Sequence, residues 1–215
     1  MSLELFLHPL SSYCHKVLIA LYENDTPFEA KRIDDPAVAR EFFGHLSPLK
    51  RFPLLRDVSR GRIVPESTII IEYLQTHYAG RSRLIPQDPE LAWQVRLRDR
   101  FFDNYLHTPM QKFTADWLRP EGKRDPYGVE EARALYVKAL DLLDAEMTGR
   151  TWVVGESFSM ADCSAAPALF YGNRFFGPFS DTHPNALAYL DRLMARPSYA
   201  RALEEANPFM HLLPK

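Results

Sequence analysis

The chain has 215 residues, of which 46% are hydrophobic, so it can bury one large globular core or two small ones. Its 26 basic and 28 acidic residues give a formal net charge of -2, which leaves no basic stripe for nucleic acid and no polybasic membrane anchor. Two cysteines, Cys14 and Cys163, cannot form a disulfide framework, and neither has a second Cys or His at metal-ligand spacing. We therefore expect a cytoplasmic protein without a metal, a nucleic-acid partner or a membrane segment.

The beginning of the chain alternates between strand and helix patterns. The text LELFLH alternates with a period of two, which predicts a strand that Pro9 ends. From Ser12 to about Asn24 apolar residues recur every three or four positions, which predicts an amphipathic helix opened by a serine cap. The text FEAKRI predicts a second strand, and Asp35 followed by Pro36 is a typical helix start.

A predicted hairpin and a third helix complete this half. Leu54 and Leu55 belong to one short strand, and RIV after the turn at Gly61 forms the other. The text ESTIIIEYLQTHY then has helical periodicity. The order strand, helix, strand, helix, strand, strand, helix is an α/β pattern. Its first two strands are parallel, because a crossover helix joins them.

A linker separates this half from a helical one. The text AGRSRLIPQDP has the Gly, Pro and charge content of a linker. After it the periodicity is helical almost throughout, with interruptions at LRPEGKRDPYG, TGRTWVVGES and FFGPFSDTHPN. We predict an α/β domain at residues 1–79, a linker at 80–88 and an all-α domain at 89–215.

Three motifs of the α/β half occur in a distinctive order. They are the serine-containing helix start in HPLSSYCHKV, Phe52-Pro53 before the third strand, and Pro65-Glu66-Ser67 at the third helix. Together with the all-α half they resemble the cytosolic glutathione transferases of the serine type, with a zeta-like start to the first motif. The resemblance implies a thioredoxin-like first domain that binds glutathione as co-substrate. It also implies a helical second domain that binds a hydrophobic electrophile, and a homodimer.

Glu66 and Ser67 suit the γ-glutamyl end of glutathione, which carries an ammonium and a carboxylate. The Glu66 carboxylate can face the ammonium, while the helix start and the Ser67 hydroxyl supply hydrogen-bond donors and the positive end of a dipole. The alternative is that the two residues only cap the helix, as such residues do in many proteins.

The segment around Pro53 is the second predicted glutathione contact. In the family the matching proline is cis, which turns the backbone of the residue before it, here Phe52, toward the cysteinyl part of glutathione. Most relatives have Val where this chain has Phe52. Arg51 stands where relatives carry Lys or Gln, and its guanidinium suits the glycyl carboxylate. A solvated arginine without a ligand is the alternative.

The text SSYCHKV offers three candidate nucleophiles or thiol partners. Ser11 matches the catalytic position of the family's serine motif. We expect its hydroxyl to donate a hydrogen bond to the glutathione sulfur and so favour the thiolate. Ser12 is the alternative catalytic residue, and otherwise it is the helix cap. Cys14 would make the protein a thiol transferase, but it lies one turn into the helix, where a buried, inert thiol is usual.

The helical half offers fewer functional candidates. Ser159 and Asp162 have the spacing of a capping box, which we interpret as structural. Tyr105 in the helical half and Tyr13 in the first helix are candidates for the electrophile pocket, although aromatic residues at helical spacing more often belong to a core.

The leading hypothesis is thus a glutathione transferase that stabilises the glutathione thiolate and transfers it to a hydrophobic electrophile. A glutathione-dependent isomerase or dehalogenase, a thiol transferase that uses Cys14, and a non-catalytic binding module of the same fold are the alternatives.

Overall fold

The computed structural model describes residues 2–214, which form two compact units. The first unit contains residues 2–86 together with Pro197–His211, and the second contains residues 87–196 and 212–214. Within the described part of the chain no helix is both long and apolar enough to cross a membrane.

The first unit contains a mixed sheet with the strand order β2-β1-β3-β4. Its strands are β1 (Leu3–Leu7), β2 (Glu29–Arg32), β3 (Leu54–Asp57) and β4 (Arg62–Pro65). Strand β1 is parallel to β2 and antiparallel to β3, and β3 and β4 form an antiparallel hairpin. The predicted parallel pair and the predicted hairpin are both confirmed.

The helices of the α/β half begin close to the predicted positions. They are α1 (Ser12–Glu23), α2 (Pro36–Glu41) and α3 (Ser67–His77). At the start of α2, the Asp35 carboxylate accepts hydrogen bonds from the backbone N–H groups of Ala37 and Val38 at 2.8 and 3.2 Å. The predicted cap of this helix is therefore confirmed. A π-helical turn, Phe42–Leu46, follows α2 directly.

Both faces of strand β1 are buried. On one face Phe6 forms an apolar cluster with Ile33, Phe42 and Leu54, against which partly buried side chains of Val38, Leu46 and Phe52 pack. Leu3, Leu5 and Leu7 alternate with Phe6 along the strand and are also buried. A central strand covered on both faces is what the crossover through α1 produces.

The second unit is a helical bundle. Its helices are α4 (Pro89–Phe101), α5 (Thr108–Trp117), α6 (Pro126–Glu146), α7 (Met160–Phe175) and α8 (Pro184–Met194), with a π-helical segment (Phe102–His107) between α4 and α5. The gaps between α5, α6, α7 and α8 coincide with the three predicted interruptions. The predicted fold class, a thioredoxin-like α/β sheet followed by an all-α bundle, is confirmed.

A last helix, α9 (Pro197–Ala206), belongs to the first unit and packs against α1. The Tyr22 hydroxyl donates to Glu205 at 2.6 Å, and the Ser198 hydroxyl donates to the nearly buried carboxylate of Glu23. The Arg201 guanidinium lies 4.0 Å from the centre of the Tyr22 ring. These contacts fix α9 along α1, and the 3-10 segment Asn207–Leu212 continues from it.

Candidate functional site

The strand register brings the predicted site segments of the first unit to one edge of the sheet. Phe6 of β1 is paired with Leu54 of β3, which is paired with Pro65 of β4. The chain therefore enters β3 just after Pro53, and leaves β4 at Glu66, at the same edge at which β1 ends. The loop from β1 to α1, which contains the serines, also starts at this edge.

Ser11 is the N-cap of α1. Its backbone is extended, with φ -78° and ψ 120°, and its hydroxyl oxygen accepts a hydrogen bond from the Cys14 N–H at 3.3 Å. Ser12 is the first helical residue, so the expectation that Ser12 caps the helix is wrong. The Ser11 oxygen is thus the acceptor in this hydrogen bond, and the hydroxyl retains one O–H that can act as a donor.

Cys14 lies inside the first turn of α1 and has no exposed surface. Burial raises the pKa of its thiol to about 12, and the hydrogen bonds with Ser11 and the His8 backbone only partly oppose this effect. The thiol is therefore protonated near neutral pH, which is the inert state of a cysteine.

The start of α3 differs from an ordinary capped helix start. Glu66 has φ 68° and ψ 119°, a backbone conformation that L residues rarely adopt. Its side chain is exposed and makes no capping hydrogen bond, whereas Ser67 behind it is buried. Glu66 therefore occupies the N-cap position of α3 without capping the helix through its side chain. Strained backbone of this kind is concentrated at ligand sites.

The loop before β3 has a cis peptide bond between Phe52 and Pro53, as the resemblance implies. The half-buried Phe52 ring packs on the apolar cluster under the sheet, with its centre 6.4 Å from that of Phe42. The backbone of Arg51 is fixed by Ser47, whose hydroxyl accepts from the Arg51 N–H and donates to the Arg51 carbonyl, both at 3.0 Å. The Arg51 side chain is exposed on this fixed backbone.

Lys16 is a residue of this region that the sequence analysis missed. It is completely buried in α1, and its ammonium donates a hydrogen bond to the Thr68 hydroxyl of α3 at 2.8 Å. The contact ties the second turn of α1 to the first turn of α3, the helix that begins beside Glu66. A lysine within the apolar face of a predicted helix is the signal that could have indicated it.

The remaining candidates are spread over both units. Tyr13 is half-buried on α1. In the second unit Tyr105 is 48% exposed, with its ring 5.7 Å from that of Phe101, while the neighbouring His107 is buried and contacts the Ser164 carbonyl at 3.1 Å. Residues 2–214 contain no group of three or more His, Cys, Asp or Glu side chains that could hold a metal.

The second unit also contains a cavity of about 590 Å³, between α4 and the loop after α6. Its lining includes Trp93, Leu97 and Arg150 and none of the predicted site residues. All of its lining residues belong to the second unit.

A thioredoxin-like sheet with a cis-proline loop, followed by a helical bundle, defines the glutathione transferase fold. The family model described as "Glutathione S-transferase, N-terminal domain" matches residues 5–82, and "Glutathione S-transferase, C-terminal domain" matches residues 108–197. The chain belongs to the glutathione S-transferase family, and its enzyme class is glutathione transferase.

Known proteins resemble this chain over nearly its whole length. It is 28% identical over 211 residues to the stringent starvation protein A homolog of Pasteurella multocida, covering 96% of this chain and 92% of that protein. It is 26% identical over 201 residues to the probable glutathione S-transferase parC of Nicotiana tabacum, covering 91% and 86%.

Two solved structures with bound ligands have the same fold. The glutathione S-transferase of Methylobacillus flagellatus KT with glutathione bound superposes with a TM-score of 0.83 at 25% identity, covering 94% of this chain and 98% of that one. The glutathione S-transferase of Methylobacterium radiotolerans in complex with glutathione sulfonate gives a TM-score of 0.80 at 27% identity, covering 93% of each chain.

Proposed function

We propose that the chain is a serine-type glutathione transferase, in which Ser11 stabilises the glutathione thiolate for transfer to a hydrophobic electrophile. The observation that carries this proposal is the start of α3. There an exposed carboxylate without a capping bond stands on strained backbone, at the sheet edge where β1 leads into the Ser11 loop. Relatives solved with glutathione and glutathione sulfonate support the ligand.

The binding roles follow from charge and position. Glu66 faces the γ-glutamyl ammonium, and Ser67 with the free N–H groups of the α3 start binds the γ-glutamyl carboxylate. The backbone of Phe52, before cis-Pro53, binds the cysteinyl part. The exposed Arg51 guanidinium pairs with the glycyl carboxylate, for which its planar fork is suited.

Ser11 acts as a hydrogen-bond donor rather than as a base. Lowering a thiol pKa by about two units requires about 3 kcal/mol. A hydrogen bond to a charged group contributes about 1.5 to 3 kcal/mol, and the N-terminal dipole of α1 adds about 0.3 to 1 kcal/mol. The two together give about 2 to 4 kcal/mol, a range that contains the requirement. Bound glutathione supplies the sulfur: a C–S bond forms, the leaving group departs with the bonding electron pair, and the thiol proton passes to solvent.

The wider organisation is proposed from the same family resemblance. Residues 1–79 bind glutathione, residues 80–88 link the two halves, and residues 89–215 bind the electrophile, with Tyr13 and Tyr105 in its pocket. The protein acts as a cytoplasmic homodimer. The serine-type, zeta-like subclass belongs to this proposal, and product analysis separates conjugation from isomerisation and dehalogenation.

Calorimetric titration with glutathione, combined with an ultraviolet scan for thiolate absorbance across pH, tests the function. We expect the wild type to bind glutathione as a thiolate near neutral pH. Ser11→Ala should still bind it but lose the thiolate absorbance, whereas Ser12→Ala, the matched control one residue along, should retain it. Absence of binding at millimolar glutathione would reject the proposal.

A non-catalytic binding module is the second candidate. Three relatives at 26 to 28% identity are named stringent starvation protein A homologs, a name that mentions no transferase. Under this alternative no electrophile is turned over, and neither the wild type nor Ser11→Ala shows thiolate absorbance with glutathione.

A further inference from the structure

Two consecutive polar residues of α1, His15 and Lys16, are completely buried. Both lie in the helix that Ser11 opens. Burying a polar side chain is costly unless specific hydrogen bonds hold it, so the partners of such residues show what they do. The hydrogen bonds of these two residues lead to different parts of the proposed glutathione site.

His15 holds the loop that precedes α1. Its ring nitrogen Nε2 lies 2.6 Å from the carbonyl oxygen of Pro9. Its backbone N–H donates to the Ser11 carbonyl at 3.0 Å, and the Ser11 N–H donates in turn to the His8 carbonyl at 3.0 Å. His15 therefore fastens the chain on both sides of Leu10, and with it the backbone of the proposed catalytic serine.

The His15 ring is the donor in its contact with the loop. A carbonyl oxygen only accepts, so Nε2 carries the proton of the neutral ring. Burial lowers the pKa of His15 to about 4, although the Pro9 carbonyl and Glu205 act in the opposite direction. The ring of Tyr199, in α9, lies edge-on to the imidazole with the ring centres 6.0 Å apart. Contact with α9 therefore helps to keep the imidazole in the orientation that reaches Pro9.

Lys16 holds the start of α3. Its amino group donates to the Thr68 hydroxyl at 2.8 Å. Thr68 is the second residue of α3 and follows Glu66 and Ser67, the proposed ligands of the γ-glutamyl group. The Glu66 carbonyl accepts the Ile70 N–H at 2.8 Å, so the strained residue is bonded into the turn that Lys16 contacts. Backbone with positive φ persists only where its surroundings impose it, and the Lys16 contact is one such restraint.

We propose that His15 and Lys16 are positioning residues that divide the glutathione site between them: His15 places Ser11 beside the sulfur, and Lys16 places the α3 start that binds the γ-glutamyl group. The inference rests on the proposed transferase function and adds to it two residues that act through others. Because the two side chains bond to different partners, stabilisation of the thiolate and binding of the peptide are lost separately when one of them is replaced.

The test uses two readouts that separate the sulfur from the peptide. Calorimetric binding of S-methylglutathione measures the peptide contacts alone, because a thioether has no proton to lose. Ultraviolet difference absorbance at saturating glutathione and neutral pH measures the thiolate-to-thiol ratio of the bound ligand. Both are measured in the full-length wild type, His15→Phe and Lys16→Met, in which an apolar side chain of similar size replaces the donor.

The two variants should have opposite effects. His15→Phe should lower the thiolate-to-thiol ratio about tenfold, the effect of misplacing one hydrogen bond to a charged group, and leave the S-methylglutathione affinity within about twofold. Lys16→Met should weaken that affinity about tenfold and leave the ratio within about twofold. His15→Gln keeps an N–H at the reach of Nε2 and should recover most of the thiolate. Thr68→Val removes the acceptor of Lys16 and should weaken the affinity as Lys16→Met does.

Ile19→Val is the matched control for a purely structural role. Ile19 is also completely buried, about one turn beyond His15 along α1. It should lower the urea midpoint of unfolding without changing either readout. If the wild type binds glutathione as a thiolate while His15→Phe and Lys16→Met change both readouts together or change neither, the division is wrong and the transferase proposal stands. If the wild type shows no bound thiolate, the transferase proposal is wrong and this inference with it.

Discussion

Two helices of this protein have an acid and a serine at their start, and the two acids differ in burial and in hydrogen bonding. At the start of α7, Asp162 is completely buried and accepts hydrogen bonds from the Ser159 N–H and hydroxyl, both at 2.8 Å. The predicted capping box is thus confirmed. At the start of α3, Glu66 is exposed on strained backbone and makes no capping bond.

The difference separates a folding element from a ligand site. At the α7 start the Asp162 carboxylate accepts hydrogen bonds from donors of the protein itself, so this acid contributes to stability. At the α3 start the backbone strain is not offset by any hydrogen bond from the Glu66 side chain to the helix, within the described residues. Strain of this kind persists where the surrounding fold imposes it, and it is concentrated where a ligand uses the resulting geometry.

The largest expected effect comes from removing the buried, fully hydrogen-bonded acid at the start of α7. Asp162→Ala removes the acceptor for Ser159, for the Val153 N–H and for the Tyr189 hydroxyl. We expect the free energy of unfolding to fall by about 4 kcal/mol, because several buried donors lose their partner at once. Urea denaturation followed by circular dichroism measures it. Asp191→Ala, at an exposed position of α8, is the control and should change stability by less than about 0.5 kcal/mol. Equal values for the two variants would contradict the assignment.

The pH dependence of the unfolding free energy tests whether Asp57, the carboxylate that the C-terminal end of α3 contacts, stabilises the fold as the acid at the α7 start does. Burial alone would raise the pKa of Asp57, but hydrogen bonds from Tyr78, Ser59, Tyr73 and the Arg60 N–H lower it to about 2. Since this folded-state pKa lies below that of the unfolded chain, the stabilisation is complete above about pH 4. It is lost as the pH falls toward 2 and amounts to about 2 kcal/mol. Unfolding free energies at pH 5 and pH 2.5 should differ less in Asp57→Asn than in the wild type. Identical differences would show that Asp57 is not the titrating group.

Two substitutions of Glu66 separate backbone strain from charge. Glu66→Gly should raise the free energy of unfolding by about 1 kcal/mol, because glycine adopts a positive φ more easily. Glu66→Gln keeps the strain and removes the charge, so its stability should match that of the wild type. Both variants should bind glutathione about tenfold more weakly in calorimetry, the effect of losing one charged contact. If Glu66→Gly is more stable than the wild type but binds glutathione with unchanged affinity, the backbone strain is confirmed and the proposed ligand role of Glu66 is wrong.

Most elements of the fold could be predicted because local signals agreed with one another. Asp35 before Pro36 predicts a helix start from capping chemistry alone, and the alternation of β1 together with the length of α1 requires a parallel partner strand. The shared edge of the sheet then follows from the strand order.

Other features left no mark in the sequence. A residue with positive φ is usually glycine, so Glu66 shows nothing unusual until its backbone is seen. The π-helical segment Phe102–His107 lies within a stretch whose periodicity predicts only a helix, and nothing in the sequence marks the change of helix type. The amphipathic face of Pro197–Ala206 indicates that it packs on a core, but it does not say on which one. Tyr199 therefore could not be placed beside His15 in advance.

The smallest expected effect concerns the start of α1, where Ser11 both caps the helix and lies beside a thiol. Cys14→Ser should leave glutathione binding, the thiolate absorbance and transferase turnover within about twofold of the wild type. Its thiol is buried, has a pKa of about 12 and so cannot attack a disulfide near neutral pH. The measurement is turnover with 1-chloro-2,4-dinitrobenzene alongside reduction of a mixed disulfide of glutathione. A thiol transferase would lose disulfide reduction completely in this variant. In that case Ser11 would serve only as the N-cap of α1, and Cys14 in the first turn of that helix would be the reactive group.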